Sequence, residues 1–209
     1  MKKACILGLV LLVGIAVLSA QGLTVGPKVS LGSSSNRGDD WDTLLTLGGA
    51  ENGFTLAYSA GIFTILEITP IIGLQVDLTY SKLAYKFEDS TDWVKFSYNA
   101  ISFPVYGRFS FDIGSLKPYI LAGLDMNLLF GDVKGEDSTG ANVTSPVEDN
   151  VDKTFLFGFA AGGGVSLPVG PGSLDLGLRY RTNINEMTTD VEMFNQSLNI
   201  DIAYGFKVR

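Results

Sequence analysis

The end of the chain, "SLNIDIAYGFKVR" (Ser197–Arg209), alternates strictly between large apolar side chains and polar or small ones. The apolar positions are Leu198, Ile200, Ile202, Tyr204, Phe206 and Val208. A period of two residues is typical of a β-strand with two unlike faces. In a closed sheet, the apolar face turns either inward, as in a soluble barrel, or outward, as in a membrane barrel. Features elsewhere in the sequence are needed to distinguish between these two arrangements.

The beginning of the chain predicts export. Residues 1–20, "MKKACILGLVLLVGIAVLSA", start with Lys2 and Lys3, continue as an apolar run and end on small residues. This is the layout of a secretory signal peptide, and we expect cleavage after Ala20 or one residue earlier. An uncleaved membrane anchor is the alternative, although the run is short for a span of about 20 residues. We therefore predict a cleaved signal peptide, followed by one domain over residues 21–209.

Composition excludes several kinds of chemistry. The sequence has no histidine, and its single cysteine, Cys5, lies in the predicted signal peptide. Histidine-based metal sites, Ser/His pairs and thiol catalysis are therefore excluded from the mature chain, and we predict no enzyme, no cofactor and no metal. The formal charge of −7 disfavours nucleic acid as a partner. No later apolar run approaches the length of a membrane helix, so strands would have to do any spanning.

Eight strands are predicted, and most are longer than the usual soluble strand of ~5–6 residues. They are Leu23–Leu31, Phe54–Ile68, Ile72–Phe87, Val94–Phe111, Pro118–Phe130, Thr154–Leu167, Leu174–Arg181 and the final stretch. The long connections are Gly32–Gly53, Glu88–Trp93, Gly131–Lys153 and Thr182–Gln196, and they alternate with the short ones, Thr69–Ile71, Asp112–Lys117 and Pro168–Ser173. Outer-membrane barrels alternate in this way, with short periplasmic turns and long outer loops. A soluble sandwich has no reason to put every long loop at one end.

The less apolar faces of these strands carry charges of both signs in near balance. The charged set is Lys28, Asp77, Arg108, Asp125, Asp175, Arg179, Asp201 and Lys207. An eight-stranded barrel has an interior that side chains just fill, and buried charges are tolerable only when they are paired. We predict that this set forms a charge network in a narrow polar lumen. It acts either as a structural plug or as a selectivity device.

Large side chains raise two further expectations. Part of the lumen is apolar if the face of the second strand that carries Gly61 points inward, because Phe63 and Ile65 share that face. Aromatic side chains near strand ends are expected to form membrane-interface girdles. They are Tyr85, Phe87, Trp93, Phe96 and Tyr98 around the second long loop, and Phe109, Phe111 and Phe206 near the other rim.

Four stretches carry a resemblance to a known family. They are "EITPIIGLQVDLTYS" (Glu67–Ser81), "KPYILAGLDMNLLF" (Lys117–Phe130), "FGFAAGGGVSLPVG" (Phe157–Gly170) and "LDLGLRYR" (Leu174–Arg181). Their order and spacing resemble the small eight-stranded outer-membrane β-barrels, the OmpA-, OmpX- and OmpW-like proteins. The resemblance implies an outer-membrane β-barrel domain over residues 21–209, inserted by the barrel assembly machinery. That machinery usually reads a C-terminal aromatic residue, whereas Phe206 is followed here by Lys207-Val208-Arg209.

The predicted fold is therefore an all-β, eight-stranded, antiparallel up-and-down transmembrane β-barrel in the cell outer membrane, with periplasmic termini and four outer loops. The function we expect is that of a non-enzymatic surface protein, in contact with outer-membrane lipid, which uses its long loops to bind an extracellular ligand or in a structural role. A narrow channel for small or hydrophobic solutes is the alternative from another class. A soluble, lipocalin-like ligand carrier is a third.

Two other motifs are weighed against simpler interpretations. The glycine-rich run Gly158–Gly164 lies inside a predicted strand, which favours relief of crowding over nucleotide binding. The acids of the third long loop lack the spacing of a Ca²⁺ loop and are interpreted as a solvated surface. They are Asp132, Glu136, Asp137, Glu148, Asp149 and Asp152.

Overall fold

The computed structural model describes residues 22–147, 151–186 and 192–208 of the chain. The predicted signal peptide, Glu148, Asp149 and Arg209 lie outside these residues. The strands are β1 (Gly22–Arg37), β2 (Glu51–Gly53), β3 (Thr55–Glu67), β4 (Ile72–Glu88), β5 (Trp93–Ser102), β6 (Val105–Ser110), β7 (Lys117–Asp137), β8 (Asn142–Pro146), β9 (Phe155–Val169), β10 (Gly172–Asn183) and β11 (Phe194–Lys207), and the helix is α1 (Asp39–Gly48).

The strands close into an antiparallel ring. Around the ring the order is β1, β3, β4, β5 with β6, β7, β9, β10 and β11, and β11 pairs with β1. β5 and β6 act as one strand that is interrupted at Phe103-Pro104, because proline has no N–H to donate to the ladder. The pairing of Lys28 with Ala203 is part of the closure. The eight-stranded antiparallel barrel is therefore confirmed, with the final stretch as its closing strand.

The connections are segregated between the two ends of the barrel. Turns 68–71, 111–116 and 170–171 share one end with the two ends of the described chain, and we call it the short-turn end. Connections 38–54, 89–92, 138–154 and 184–193 leave from the opposite end, which we call the long-loop end. As predicted from the sequence, no long loop of the described chain leaves the short-turn end.

Helix α1 and the extension of β1 correct the predicted loop Gly32–Gly53. β1 continues to Arg37 because it keeps its pairing with β11 as far as Phe194. Three aspartates then occupy the first turn of α1, where the positive end of the helix dipole stabilises carboxylates. Gly49 ends the helix at φ 68°, a left-handed conformation that glycine adopts without strain.

The third long loop also contains regular structure that the sequence did not predict. β7 continues to Asp137, beyond the predicted end at Phe130, and β8 folds back on it as a hairpin. The register between β5 and β7 shifts between Ser97 and Asn99, opposite Gly131. Gly131 has φ 73°, so the strand passes through a bulge that an L side chain would strain.

The side-chain pattern of the ring is inverted relative to a soluble protein. Leu198 and Ile200 of β11 are both 56% exposed, whereas Asn199 and Asp201 between them are buried. Large apolar side chains on the other ring strands also point outward, for example Leu178 and Ile120. No helix in the described part of the chain is long and apolar enough to cross a membrane.

One predicted aromatic girdle is wrong. Tyr98 is buried inside the barrel, and Tyr85, Phe87 and Phe96 pack against the same interior cluster. Alternation explains this, because residues 85 and 87 share the inward face of β4 with Asp77. The aromatic side chains near the short-turn end, Phe109, Phe111 and Phe206, are exposed on the outside.

Candidate functional site

Among the described residues, eight buried charged side chains lie in the lumen, and we call them the lumen network. They are the cations Lys28, Arg108, Arg179 and Arg181 and the anions Asp77, Asp125, Asp175 and Asp201. Each stands on the inward face of a ring strand, where alternation places every second residue. Because four positive charges meet four negative ones, the network has no formal net charge.

Asp77 is the centre of the lumen network. Its Oδ2 lies 2.7 Å from Lys28 Nζ and 3.3 Å from Arg179 Nη1, and its Oδ1 accepts a hydrogen bond from Gln75 Nε2. Asp201 sits opposite and contacts the same two cations, at 3.0 Å from Lys28 and 3.1 Å from Arg179. Two cations and two carboxylates from β1, β4, β10 and β11 thus form a closed, four-membered cluster across the lumen.

Arg108 extends the network toward the short-turn end. Its Nη1 donates to Asp175 Oδ2 at 2.7 Å and to Gln75 Oε1 at 3.0 Å, so Gln75 links it to Asp77. The Arg108 guanidinium also lies over the Tyr119 ring, 3.6 Å from its centroid, in a cation–π contact. The charge of Arg108 is therefore balanced by a carboxylate and an aromatic face.

Arg181 forms the other arm of the network, and the predicted site omitted it. Its Nε and Nη2 lie 3.1 and 3.0 Å from Asp125 Oδ2, and Nη2 donates to Asn127 Oδ1 at 2.9 Å. Ser102 also donates to Asn127, which joins this arm to the β5 side of the lumen. The signal was present in the sequence, because Arg181 shares the parity of Arg179 on β10.

Lys207 does not belong to the network, which corrects its place in the predicted set. Its side chain is 64% exposed and pairs with Glu67 at 3.6 Å. Lys207 has the same parity as Asp201, but it lies at the last position of β11, where the strand reaches the short-turn rim. Depth along the barrel therefore separates Lys207 from the other seven predicted residues.

The lumen above the network, toward the long-loop end, is filled by apolar side chains that we call the apolar layer. Strand residues contribute Leu83, Tyr98, Ala100, Leu129, Val133 and Leu156, and the outer connections contribute Trp41, Leu45, Val147, Val151 and Met193. α1 supplies Trp41 and Leu45 at an i, i+4 spacing, which places both on one helix face. The helix therefore lies over the mouth of the barrel.

Below the network, the short-turn end is open. A cavity of about 370 Å³ reaches inward from this rim to Arg108. The other inward apolar residues form small clusters beside the network, and Phe63 and Ile65 contact Ala203 in one of them. The Gly61 face of β3 therefore points inward, which is the condition under which the sequence predicted a partly apolar lumen.

The other sequence motifs lie where simple structural roles explain them. Gly164, in the glycine-rich run, lies on β9, and a Cβ there would sit 2.1 Å from the carbonyl oxygen of Leu176. In the third long loop, the Thr139 hydroxyl and the Ala141 N–H donate to Asp137 and lower the pKa of its carboxyl group. Within the described ranges, no three acidic side chains are grouped so that they could hold a metal ion.

A closed antiparallel barrel with an apolar exterior and a polar, filled interior defines the class of transmembrane β-barrels. Residues 19–189 match the model of a family described as "Outer membrane protein beta-barrel domain". The chain belongs to this family, and it is an outer-membrane protein whose exposed apolar strand faces contact lipid.

Solved structures of small outer-membrane barrels are similar to this chain. Neisserial surface protein A is 19% identical, with 87% of this chain and 96% of that chain covered and a TM-score of 0.47. The outer membrane protein OprG from Pseudomonas aeruginosa is 9% identical, with 90% and 95% covered and a TM-score of 0.45. Ail, the attachment invasion locus protein of Yersinia pestis, is 13% identical, with 88% and 98% covered and a TM-score of 0.41. No curated protein matches the sequence.

Proposed function

We propose that this protein is a closed, non-enzymatic outer-membrane barrel that acts through its long-loop end, as a binding or structural protein of the cell surface. The lumen network serves as a structural plug in this proposal. The observation that carries it is the filling of the lumen from Arg108 to the long-loop end, first by the neutral network and then by the apolar layer under α1.

Electrostatics support a closed lumen. An ion that passed Asp77 would have to displace Lys28 or Arg179, each of which contacts both central carboxylates. Removing one partner of a buried pair costs about 3–5 kcal/mol, because the other charge is left without compensation. Beyond the network, none of the side chains of the apolar layer carries a charge that could compensate an ion.

The proposed orientation puts both termini and the short-turn end in the periplasm and the four long connections outside the cell. The loop lengths and the position of both chain ends at one rim support it. Export by the predicted signal peptide and insertion by the barrel assembly machinery are part of the same proposal. We expect an extracellular ligand at the long-loop end and no nucleic acid.

Planar-bilayer recording tests the proposal. We expect the reconstituted protein to give no conductance, or only very small openings, under conditions where a general porin in the same membrane conducts. Large, stable openings would contradict a plugged lumen. In cells, shortening the long outer connections should abolish surface binding and leave solute uptake unchanged.

A narrow conduit for small or hydrophobic solutes is the second candidate. The observation in its favour is the cavity of about 370 Å³ at the short-turn end, which reaches the first charge of the network at Arg108. Solute flux that changes on substitution of Arg108, Asp125 or Arg179 would favour this candidate. Flux that is absent, or indifferent to all three, would leave the closed barrel as the better proposal.

A further inference from the structure

A groove opens at the long-loop end between α1 and the β4–β5 hairpin. We call it the aromatic groove, and its volume is about 320 Å³. Its main lining side chains are Trp41 and Leu45 of α1, Phe87 and Trp93 of the hairpin strands, and Asp89 and Asp92 of the connecting turn. None of these residues belongs to the lumen network. The groove is small but within the range of ligand pockets, which starts at roughly 300 Å³.

The aromatic walls are held in place by the packing behind them. Trp41 makes edge-to-face contacts with Tyr85 and Phe87, at centroid distances of 5.6 and 6.1 Å. Phe87 in turn stacks on Phe96, whose ring packs against the apolar layer. Because these contacts fix the rings, the groove offers a preformed apolar surface that needs little reorganisation on binding.

One end of the groove is negative. Asp89 Oδ1 accepts hydrogen bonds from the backbone N–H groups of Thr91 and Asp92, at 2.7 and 2.8 Å. These bonds lower the pKa of Asp89, so its carboxylate stays charged at neutral pH. Asp92 Oδ1 accepts a hydrogen bond from Ser138 at 2.6 Å. In the part of the chain that the structure describes, neither carboxylate has a lysine or arginine within ion-pair distance.

Two further features favour a positive charge at this place. α1 ends beside the groove at Gly48, and its last turn contains no basic residue, so the partial negative charge of the helix end is not neutralised there. Tryptophan rings are the best cation–π partners among aromatic side chains. Lys86 already uses Trp93 in this way, with its Nζ 5.5 Å from the ring centroid.

We propose that the aromatic groove binds a small amphipathic cation, which means an amine or quaternary ammonium joined to an aromatic or aliphatic body. The body lies against Trp41, Phe87 and Trp93, and the cationic group lies at Asp89 and Asp92. Two carboxylates without a lysine or arginine partner among the described residues line the same groove as a helix C-terminal end, so anions are repelled and neutral compounds gain only the apolar contact. This inference rests on the proposed function, because it assigns a ligand class to the long-loop end.

The chain supplies its own reporter for this site. It contains only two tryptophans, and Trp41 and Trp93 both line the groove. We would titrate the full-length mature protein, folded into zwitterionic nanodiscs, with 4-phenylbutylamine and follow tryptophan emission. The same titration with 4-phenylbutanol and 4-phenylbutyrate separates the contribution of charge from that of the apolar body. We expect saturable binding of the amine, at least tenfold weaker binding of the alcohol and none of the carboxylate.

Matched variants locate the binding site. We expect D89N/D92N to weaken amine binding at least tenfold, and Asp92→Asn alone, which leaves the Asp89 turn unaltered, to weaken it measurably. Asp137→Asn is the control, because Asp137 accepts the same kind of turn hydrogen bonds, from Thr139 and Ala141, outside the groove. The affinity for the amine should also fall when NaCl is raised from about 50 to 500 mM, because salt screens the attraction between exposed charges.

Three results would overturn the inference. They are a linear, non-saturating signal in the wild type, equal affinity for the amine and the alcohol, and equal affinity in D89N/D92N and Asp137→Asn. Bilayer conductance is measured separately. A closed barrel without amine binding would therefore contradict only this inference, and a conducting barrel that binds the amine would contradict only the proposed function.

Discussion

Asp77→Asn is the most direct test of the lumen network. The substitution keeps the shape of the side chain and removes one charge from a site that is 1% exposed. Lys28 and Arg179 would then share the single carboxylate of Asp201. Because the loss of one partner from a buried ion pair costs about 3–5 kcal/mol, we expect the free energy of unfolding to fall by that amount.

A second substitution shows whether charge balance is the cause. Lys28→Met in the Asp77→Asn background removes one charge of each sign and returns the network to neutrality. The double variant should therefore lose less stability than the sum of the single variants, by an interaction energy of about 0.5–3 kcal/mol. Lys207→Met is the surface control, because its exposed pair with Glu67 contributes only about 0–1 kcal/mol.

The assay is urea unfolding of the protein in lipid vesicles, with linear extrapolation to zero urea. The folded fraction is read from the heat-modifiable mobility of the barrel on a gel, because both tryptophans lie at the long-loop end and report on that end first. A loss below about 1 kcal/mol for Asp77→Asn, equal to that of Lys207→Met, would refute the reasoning. It would mean that Asp77 is hydrated and that water fills the lumen.

Two further substitutions test the packing of the strands. Gly164→Ala should lower stability by about 1–3 kcal/mol in the same assay, because its Cβ would overlap the Leu176 carbonyl oxygen, whereas Gly107→Ala, with its nearest atom at 3.8 Å, should be tolerated. Equal effects of the two alanines would show that β9 adjusts freely. Ile200→Arg should cost about 2–4 kcal/mol in vesicles, because it puts a charge on the lipid face. An unchanged midpoint would show that β11 faces the other way.

The alternation of apolar and polar side chains was the basis of most of the fold prediction. A period of two residues fixed both the strands and their faces, and it placed seven of the eight predicted charges in the lumen. The errors arose where parity was not followed to the end of a strand. Tyr85 and Phe87 share the parity of Asp77, and Arg181 shares that of Arg179, so their inward direction could have been predicted. The prediction for Lys207 was wrong for a different reason. Parity shows which face of a strand a residue lies on, but not how far along the barrel axis it lies.

The structures at the long-loop end were harder to predict because tertiary contacts stabilise them. α1 is too short to be stable alone, since isolated helices below ~12–15 residues are marginal. Its signals were three aspartates in the first turn, Gly49 as the cap and the spacing of Trp41 and Leu45. The barrel mouth on which those two side chains pack cannot be seen in the local sequence. The same holds for β8, whose partner is the unpredicted extension of β7.

Because the lumen network is neutral, charge is constrained differently at inward positions and at outer positions of the sequence. Because the eight buried charges of the described residues cancel, the formal charge of −7 is carried by the other residues of the sequence. A substitution that changes the sign of an outer residue leaves the balance inside the barrel unaltered, whereas the loss of one inward charge is destabilising unless one of opposite sign is lost with it. Inner positions should therefore change in compensating pairs. The long-loop end is free to vary its charge one residue at a time, and the same barrel can carry surfaces of quite different electrostatic character.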